Sequence, residues 1–466
     1  MRILYYEKGN CATADIFFSF LPASDVLWKN IFSYMLQYRH MSEYVVKGGR
    51  KLEGSVRISG NKNAALPCLA ATLLTDESVT LENVPSIQDV NVMLRLLGEL
   101  GSQVSGLGDG MYALKSDISI CALTPSLVDS VRGSILFAGP LLARGYKVVI
   151  PPPGGDVIGL RRLDSHFIGL SALGVKCEIN SLSNLEMTPP GRLKAADIFL
   201  DEASVTATEN CIMAASLADG TSTIYNAACE PHVQNLCHML NSMGCEITGI
   251  GSNFLTIKGK ESLHGCRHRL CFDYMECGSF IGLAACTHSA LTLTGIDDDG
   301  MKPVEKGFRK LGIEFETGRN EIYVPRNMSR VIARTYTGVT EKIDDAPWPG
   351  FPADLLSIMC VTATQMEGSI LIHEKMFESR MFFIDYLIRM GADIILCDPH
   401  RAVVRGRTRL KGREVISPDV RAGMALVVAA LCAEGESVIR NIEQIERGYE
   451  HLLDKLVNIG ADIRRI

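Results

Sequence analysis

One short motif, repeated six times, limits what this chain can fold into. A helix-like apolar stretch closes on Leu, Met or Ile followed by glycine and a strand-like run. The copies are Leu100-Gly101-Ser102-Gln103-Val104, Leu173-Gly174-Val175-Lys176-Cys177, Met243-Gly244-Cys245-Glu246-Ile247, Leu311-Gly312-Ile313-Glu314-Phe315, Met390-Gly391-Ala392-Asp393-Ile394 and Ile459-Gly460-Ala461-Asp462-Ile463. Successive glycines lie 68 to 79 residues apart. A glycine in this setting takes the left-handed conformation that ends a helix and releases the chain into a strand. A second element keeps the same phase, a nearly all-apolar helix followed by a β-branched strand. It occurs at Ala64 to Leu74, Ser134 to Ala143, Asn210 to Leu217, Gly278 to Cys286, Leu355 to Thr364 and Ala422 to Ala433. Helices apolar on every side must be buried on every side. Each unit therefore places one helix inside and an amphipathic one beside strands, and six units suggest two domains of three. Generic α/β alternation does not predict one glycine in one context at this interval, and no Gly-x-Gly-x-x-Gly turn points to a dinucleotide.

The 466 residues are 47% apolar and 21% charged, enough for more than one core. A net charge of −6 without a Lys/Arg-rich run argues against nucleic-acid binding. The 15 cysteines are scattered, with no Cys-x-x-Cys and no histidines at metal spacing, so no metal is expected and the thiols read as reduced. No apolar run is long enough to span a bilayer. Ile16-Phe17-Phe18-Ser19-Phe20-Leu21 is bracketed by Asp15 and Asp25, a poor secretion signal. A cytoplasmic location is expected. Met41 opens a run into a strand that reads like a normal start, so residues 1–40 are taken as an appended extension.

Charged residues fall at equivalent ends of the units. Lys62 and Asn63 precede the first inner helix, Arg132 the second, Asp354 the fifth and Arg421 the sixth. Helix N-termini carry free N–H groups and partial positive charge, which suits an anion. Asp156 and Arg161 lie in the loop Pro151-Pro152-Pro153-Gly154-Gly155-Asp156-Val157-Ile158-Gly159-Leu160-Arg161-Arg162, Arg380 follows a strand, and Arg447 sits in Glu446-Arg447-Gly448-Tyr449. Alone, each is as well explained by a solvated charge or a cap. Gathered at one point, five cations would need an anion among them, and arginine's planar fork fits carboxylate or phosphate.

Ile58-Ser59-Gly60-Asn61-Lys62-Asn63-Ala64-Ala65-Leu66-Pro67, Gly154-Gly155-Asp156-Val157-Ile158-Gly159, Phe351-Pro352-Ala353-Asp354, Asp419-Val420-Arg421-Ala422 and Arg447-Gly448-Tyr449-Glu450 carry a likeness. From about residue 44 to the C-terminus the chain resembles the UDP-N-acetylglucosamine 1-carboxyvinyltransferases, enolpyruvyl transferases that open peptidoglycan precursor synthesis. The resemblance implies an α/β, two-domain inside-out α/β barrel with six repeated βαβ-type units, three per domain. Residues 62–271 would form one domain, and 41–61 with 272–466 the other. It implies a monomer without cofactor, whose cleft closes on UDP-N-acetylglucosamine and phosphoenolpyruvate. By this likeness Asp354 is the base and Asp156 the acid. Lys62, Arg161 and Arg447 surround the phosphate, Arg380 and Arg421 the carboxylate. Asn63, Arg132, Asp164, Ser204, Val205 and Met376 match nucleotide-sugar contacts, with Asn63 also beside phosphoenolpyruvate and Arg161 and Asp354 beside the sugar nucleotide.

The chain departs from the pattern in places. Asp156 stands where most relatives carry cysteine, which implies insensitivity to the thiol-directed epoxide fosfomycin. Arg162, Ser165, Glu202 and Trp348 replace a usual proline, leucine, lysine and histidine. The first three lie on the nucleotide side, and Arg162 and Ser165 leave open another nucleotide hydroxyl as acceptor; 3-phosphoshikimate 1-carboxyvinyltransferase, which shares the fold and reaction, is the weaker resemblance, because Asn61-Lys62-Asn63 and Arg447-Gly448-Tyr449-Glu450 favour the sugar-nucleotide branch. A non-catalytic nucleotide-sugar sensor is the reading from a different class, but it would have no use for a proton donor opposite a base.

Overall fold

The computed structural model describes residues 2–7, 10–15, 42–119, 123–154, 162–296 and 300–466. Met1–Met41 and Ser42–Ile466 are separate compact units. In the first, strands Arg2–Glu7 and Asn10–Asp15 pair antiparallel. The six repeats occupy the second.

All six repeat glycines take left-handed backbone, with φ of 103, 94, 97, 72, 104 and 94° in chain order. At each, the following residue donates its N–H five residues back, as in Ser102 to Leu97 at 2.9 Å and Ala461 to Leu456 at 3.0 Å. The same bond forms at Val175, Cys245, Ile313 and Ala392. This cap satisfies carbonyls that the helix end would leave bare. An L side chain there would pay for the left-handed conformation, so the glycines are local stops written into the sequence.

The inner helices are Lys62–Ala71, Ala138–Ala143, Val205–Ala215, Tyr274–Cys286, Leu356–Thr364 and Val420–Cys432. Four of them, Lys62–Ala71, Val205–Ala215, Tyr274–Cys286 and Val420–Cys432, begin earlier than their apolar runs suggest. Val205–Ala215 takes in Thr208, Glu209 and Asn210, all buried. The second differs in kind. Arg132–Phe137 is a 3-10 helix that becomes α-helical at Ala138, and Pro140, which clashes with the carbonyl four residues back, accounts for the tighter turn. Close packing of inner helices rests on missing side chains: a Cβ at Gly278 would stand 2.7 Å from Leu355 Cδ1, and one at Gly282 2.6 Å from Ile358 Cγ2.

Sheets cover this helical interior. In a typical one, Asp197–Phe199 runs parallel to Thr221–Tyr225, which pairs antiparallel with Phe254–Lys258, which pairs with Glu246–Thr248. Strands alternate buried and exposed residues, as Thr221–Tyr225 does. The buried apolar residues divide into two clusters, one drawn from positions 64–270 and the other from 44–58 with 272–463. The chain passes between them twice, at one place. Gly60 bridges antiparallel to Phe272, Asn61 N–H meets Cys271 O at 2.8 Å, and Asp273 N–H meets Ser59 O at 2.9 Å. Beside this crossing Lys455 Nζ donates to Ser59 Oγ and Glu276 Oε1, both at 2.6 Å.

Candidate active site

The N-terminal ends of the inner helices carry the charged residues. Asn61 Oδ1 caps Lys62–Ala71 by accepting Ala64 N–H at 3.0 Å, and Asp419 caps Val420–Cys432 by accepting from Arg421 and Ala422. Such caps contribute about 1 kcal/mol each. They also fix the backbone from which Lys62 and Arg421 project.

Asp354 lies in the 3-10 turn Ala353–Leu355 that leads into the helix Leu356–Thr364. Its Oδ1 accepts from Arg380 Nη2 at 2.6 Å and its Oδ2 from Arg421 Nε at 3.2 Å. Arg421 is 5% exposed, with its guanidinium 5.3 Å from the centre of the Tyr449 ring, and Tyr449 Oη lies 2.9 Å from Ser279 Oγ. Arg380 stacks on Phe377 at 4.6 Å. Burial alone would raise the Asp354 pKa, but Arg380, Arg421 and the more distant Lys62 outweigh it and hold the carboxyl below its ordinary range. Two donors of this group, Arg380 Nε and Arg421 Nη1, are buried and find no partner among the described residues. A small cavity here is lined by Ser357, Glu374, Arg380, Asp419 and Arg421. Burial pushes the Glu374 carboxyl up, with neighbouring Asp345 adding to the effect.

A second cluster centres on Asp89, which the sequence analysis did not single out. It is the second residue of the helix Gln88–Glu99 and falls on the buried face with Val90, Met93 and Leu97. An acid on the apolar stripe of an amphipathic helix was the available signal. Lys62 Nζ meets Asp89 Oδ2 at 3.1 Å and Arg447 Nε meets Oδ1 at 3.0 Å. Arg447 Nη1 donates to Gln444 Oε1 at 3.2 Å and Nη2 to Ser130 O at 3.1 Å. Burial works to raise the Asp89 pKa, and the two cations together lower it.

Among the residues that the resemblance assigns to the nucleotide sugar and their neighbours, Arg132 Nη2 is 3.5 Å from Arg162 O, and Arg162 Nε pairs with Asp164 at 3.0 Å. Ser165 Oγ donates to Asp201. Ser204 occupies the N-cap position before Val205, its N–H on Glu202 O at 2.7 Å. Burial and Asp201 raise the Glu202 pKa against Arg162 and Arg132. Asn63 follows Lys62 in the first inner helix, half-buried. Met376 is exposed, with its N–H on Asp345 at 3.1 Å. Asp156 and Arg161 lie outside the described residues. Among the described residues no group of His, Cys, Asp and Glu could hold a metal, and no helix is long and apolar enough to cross a membrane.

Chemically, the two clusters offer an ionised carboxylate, Asp354, beside two guanidiniums with spare donors, and a second pair of cations, Lys62 and Arg447, held on Asp89, with the Lys62 charge also felt at Asp354. That arrangement fits an acceptor proton and an anionic co-substrate. The family of EPSP synthase (3-phosphoshikimate 1-carboxyvinyltransferase) matches residues 46–456. The UDP-N-acetylglucosamine 1-carboxyvinyltransferase of Treponema denticola is 55% identical over 91% of this chain and 99% of its own length. That of Bradyrhizobium diazoefficiens is 49% identical over 91% and 98%. Among solved structures, the enolpyruvyl transferase NikO from Streptomyces tendae superposes with a TM-score of 0.81 at 24% identity, covering 91% of this chain and 99% of that one. EPSP synthase from Acinetobacter baumannii gives 0.71 at 16%, covering 91% and 100%. These two establish the shared fold, the inside-out α/β barrel. With half the sequence shared from end to end of these named relatives, the chain belongs to the UDP-N-acetylglucosamine 1-carboxyvinyltransferase family of enolpyruvyl transferases.

Proposed function

We propose that this protein transfers the enolpyruvyl group of phosphoenolpyruvate to the 3′-hydroxyl of UDP-N-acetylglucosamine, releasing phosphate, as the first committed step of peptidoglycan precursor synthesis. The observation that carries the reading is Asp354, an ionised carboxylate held between Arg380 and Arg421 while Arg380 Nε and Arg421 Nη1 keep buried donors to spare. A carboxylate co-substrate satisfies those donors.

Asp354 takes the proton of the sugar hydroxyl as its oxygen bonds to C2 of phosphoenolpyruvate, and Asp156 gives a proton to the methylene carbon. The tetrahedral adduct then loses that carbon's proton and breaks the C2–O bond to phosphate, restoring the double bond. Lys62, Arg161 and Arg447 stabilise the phosphate, and Arg380 and Arg421 the carboxylate. With both oxygens on arginines Asp354 is a weak base. It strengthens when the arginines turn to the substrate, because less positive charge then opposes its protonation. Asn63, Arg132, Asp164, Ser204, Val205 and Met376 hold the nucleotide sugar, the reading on which Arg162, Ser165 and Glu202 bear most directly.

Residues 62–271 and 41–61 with 272–466 act as two bodies around the cleft, in a cytoplasmic monomer. With Asp156 in place of a thiol, fosfomycin has no nucleophile to alkylate, and potent time-dependent inactivation of the purified protein would sink that point. Phosphate release is measured with phosphoenolpyruvate and each acceptor in turn. Turnover with UDP-N-acetylglucosamine supports the reading. Turnover only with shikimate 3-phosphate, or binding without phosphate release, rejects it.

A further inference from the structure

Asp89 has no part in the scheme above, yet it holds two of the three cations that scheme gives to phosphate. It is 6% exposed. Its two carboxylate oxygens take one cation each, Lys62 at 3.1 Å and Arg447 at 3.0 Å. The partners come from opposite sides of the molecule. Lys62 opens a helix of the cluster built from positions 64–270, whereas Arg447 follows the helix Glu443–Glu446 in the other. Arg447 also reaches Ser130 O on Asp89's side, so the guanidinium is a strut between the two clusters. An unopposed pair of cations at this spacing would repel, and a buried carboxylate between them removes the repulsion and fixes both heads.

We infer that Asp89 is a positioning residue of the phosphate subsite, holding the Lys62 ammonium and the Arg447 guanidinium on one carboxylate so that phosphate meets a pre-formed pair of cations. The inference rests on the proposed reaction, because that reaction is what makes Lys62 and Arg447 phosphate ligands. Asp89 touches neither substrate in this scheme and acts through the cations. Its carboxylate therefore sets two quantities at once. It keeps the pair convergent, which serves the chemical step, and it tempers the pair's affinity, which lets product phosphate leave.

The test compares Asp89→Asn with Asp89→Glu, following the enolpyruvyl product by chromatography while inorganic phosphate is added as inhibitor. Asp89→Asn removes one negative charge from between the two cations. Phosphate should then inhibit about three- to tenfold more strongly, the scale of one partly screened charge at this range. Its kcat should fall about tenfold or more while the KM for UDP-N-acetylglucosamine stays within about twofold. Asp89→Glu keeps the charge but displaces the heads, so phosphate inhibition should stay within about twofold of the parent while kcat falls. In Asp89→Asn, a purely structural role would lower kcat and the unfolding temperature together and leave phosphate inhibition unchanged or weaker, and that result overturns the inference. If Asp89→Asn fails to fold, Asp89→Glu decides: a lower kcat at the parent's unfolding temperature supports the inference, and an undiminished kcat, or a kcat that falls together with the unfolding temperature, overturns it. Should the parent protein release no phosphate with UDP-N-acetylglucosamine, the proposed reaction fails first. Should the parent turn over and the variants behave as a structural role dictates, only the assignment of Asp89 fails.

Discussion

Asp354 and Asp89 are each a carboxylate at the start of a helix gripped by two cations, but Asp354 draws both from its own side of the molecule and Asp89 draws one from each. The difference separates two ways of building a site. The Asp354 group is fixed by local packing: Asp419 caps the helix of Arg421, Tyr449 lies against its guanidinium, and Phe377 supports Arg380. Its hydrogen bonds all lie on one side, and only the Lys62 charge reaches it from the other. The Asp89 group exists only while the two sides are in register, which makes it the more easily disturbed of the two and the one that reports on their alignment.

The hardest test of this contrast is Asp354→Ala, which should cost about 10²- to 10⁴-fold in kcat, the usual weight of a positioned base. UDP-N-acetylglucosamine binding by calorimetry should survive, and an undiminished rate would remove Asp354 from the base role. Arg421→Gln comes next. Losing a charge-assisted hydrogen bond should raise the KM for phosphoenolpyruvate about ten- to hundredfold. The acid limb of the pH–rate profile should also move to higher pH, because burial raises the Asp354 pKa once Arg421 no longer opposes it. A limb that stays put would separate that residue from the titration.

Acid unfolding sharpens the other side of the comparison. The folded pKa of Asp89 lies below its ordinary value through Lys62 and Arg447, acting against burial. Its contribution to stability is thus complete above the unfolded pKa of about 3.9 and is lost as pH falls through the folded one. The stability gap between the parent and Asp89→Asn should narrow below about pH 4 in urea titrations, and a constant gap would contradict the ion-paired geometry. The smallest effect is expected of Tyr449→Phe. It removes the hydroxyl's hydrogen bond with Ser279 and its interaction with the Arg421 guanidinium but keeps the ring there, costing about 1 kcal/mol in stability and lowering kcat less than Arg421→Gln does.

The repeat was legible because its signals are local. A left-handed glycine such as Gly101 or Gly391 is required by a cap formed within six residues, and an all-apolar run such as Ala422 to Ala433 can only be an interior helix. Helix starts were less legible, since the buried first turn of Val205–Ala215 contains Thr208 and Glu209, polar residues that read as surface. In the site, Lys62, Asp354, Arg380, Arg421 and Arg447 were named from motifs, and the structure brings these five into two linked groups. Which carboxylate each cation meets could not be read, because Asp89 and Arg447 are 358 positions apart and nothing near either one encodes the pairing. The signal Asp89 does carry is its place among Val90, Met93 and Leu97.

The outermost sheet of the last unit joins Glu43–Lys47 to Glu436–Arg440 and Asp462–Arg465. During synthesis, then, one of the earliest strands must wait for nearly the last. At ordinary ribosomal speeds that wait is about 20 to 80 s. The cluster drawn from positions 64–270 is contiguous and can close as soon as its own stretch has emerged, whereas the other holds an unpaired strand edge until the ribosome is almost finished. Newly made chains are therefore exposed to aggregation at one known edge and for a set interval, and a chaperone that covers Glu43–Lys47 would protect the half of the molecule that carries Asp354.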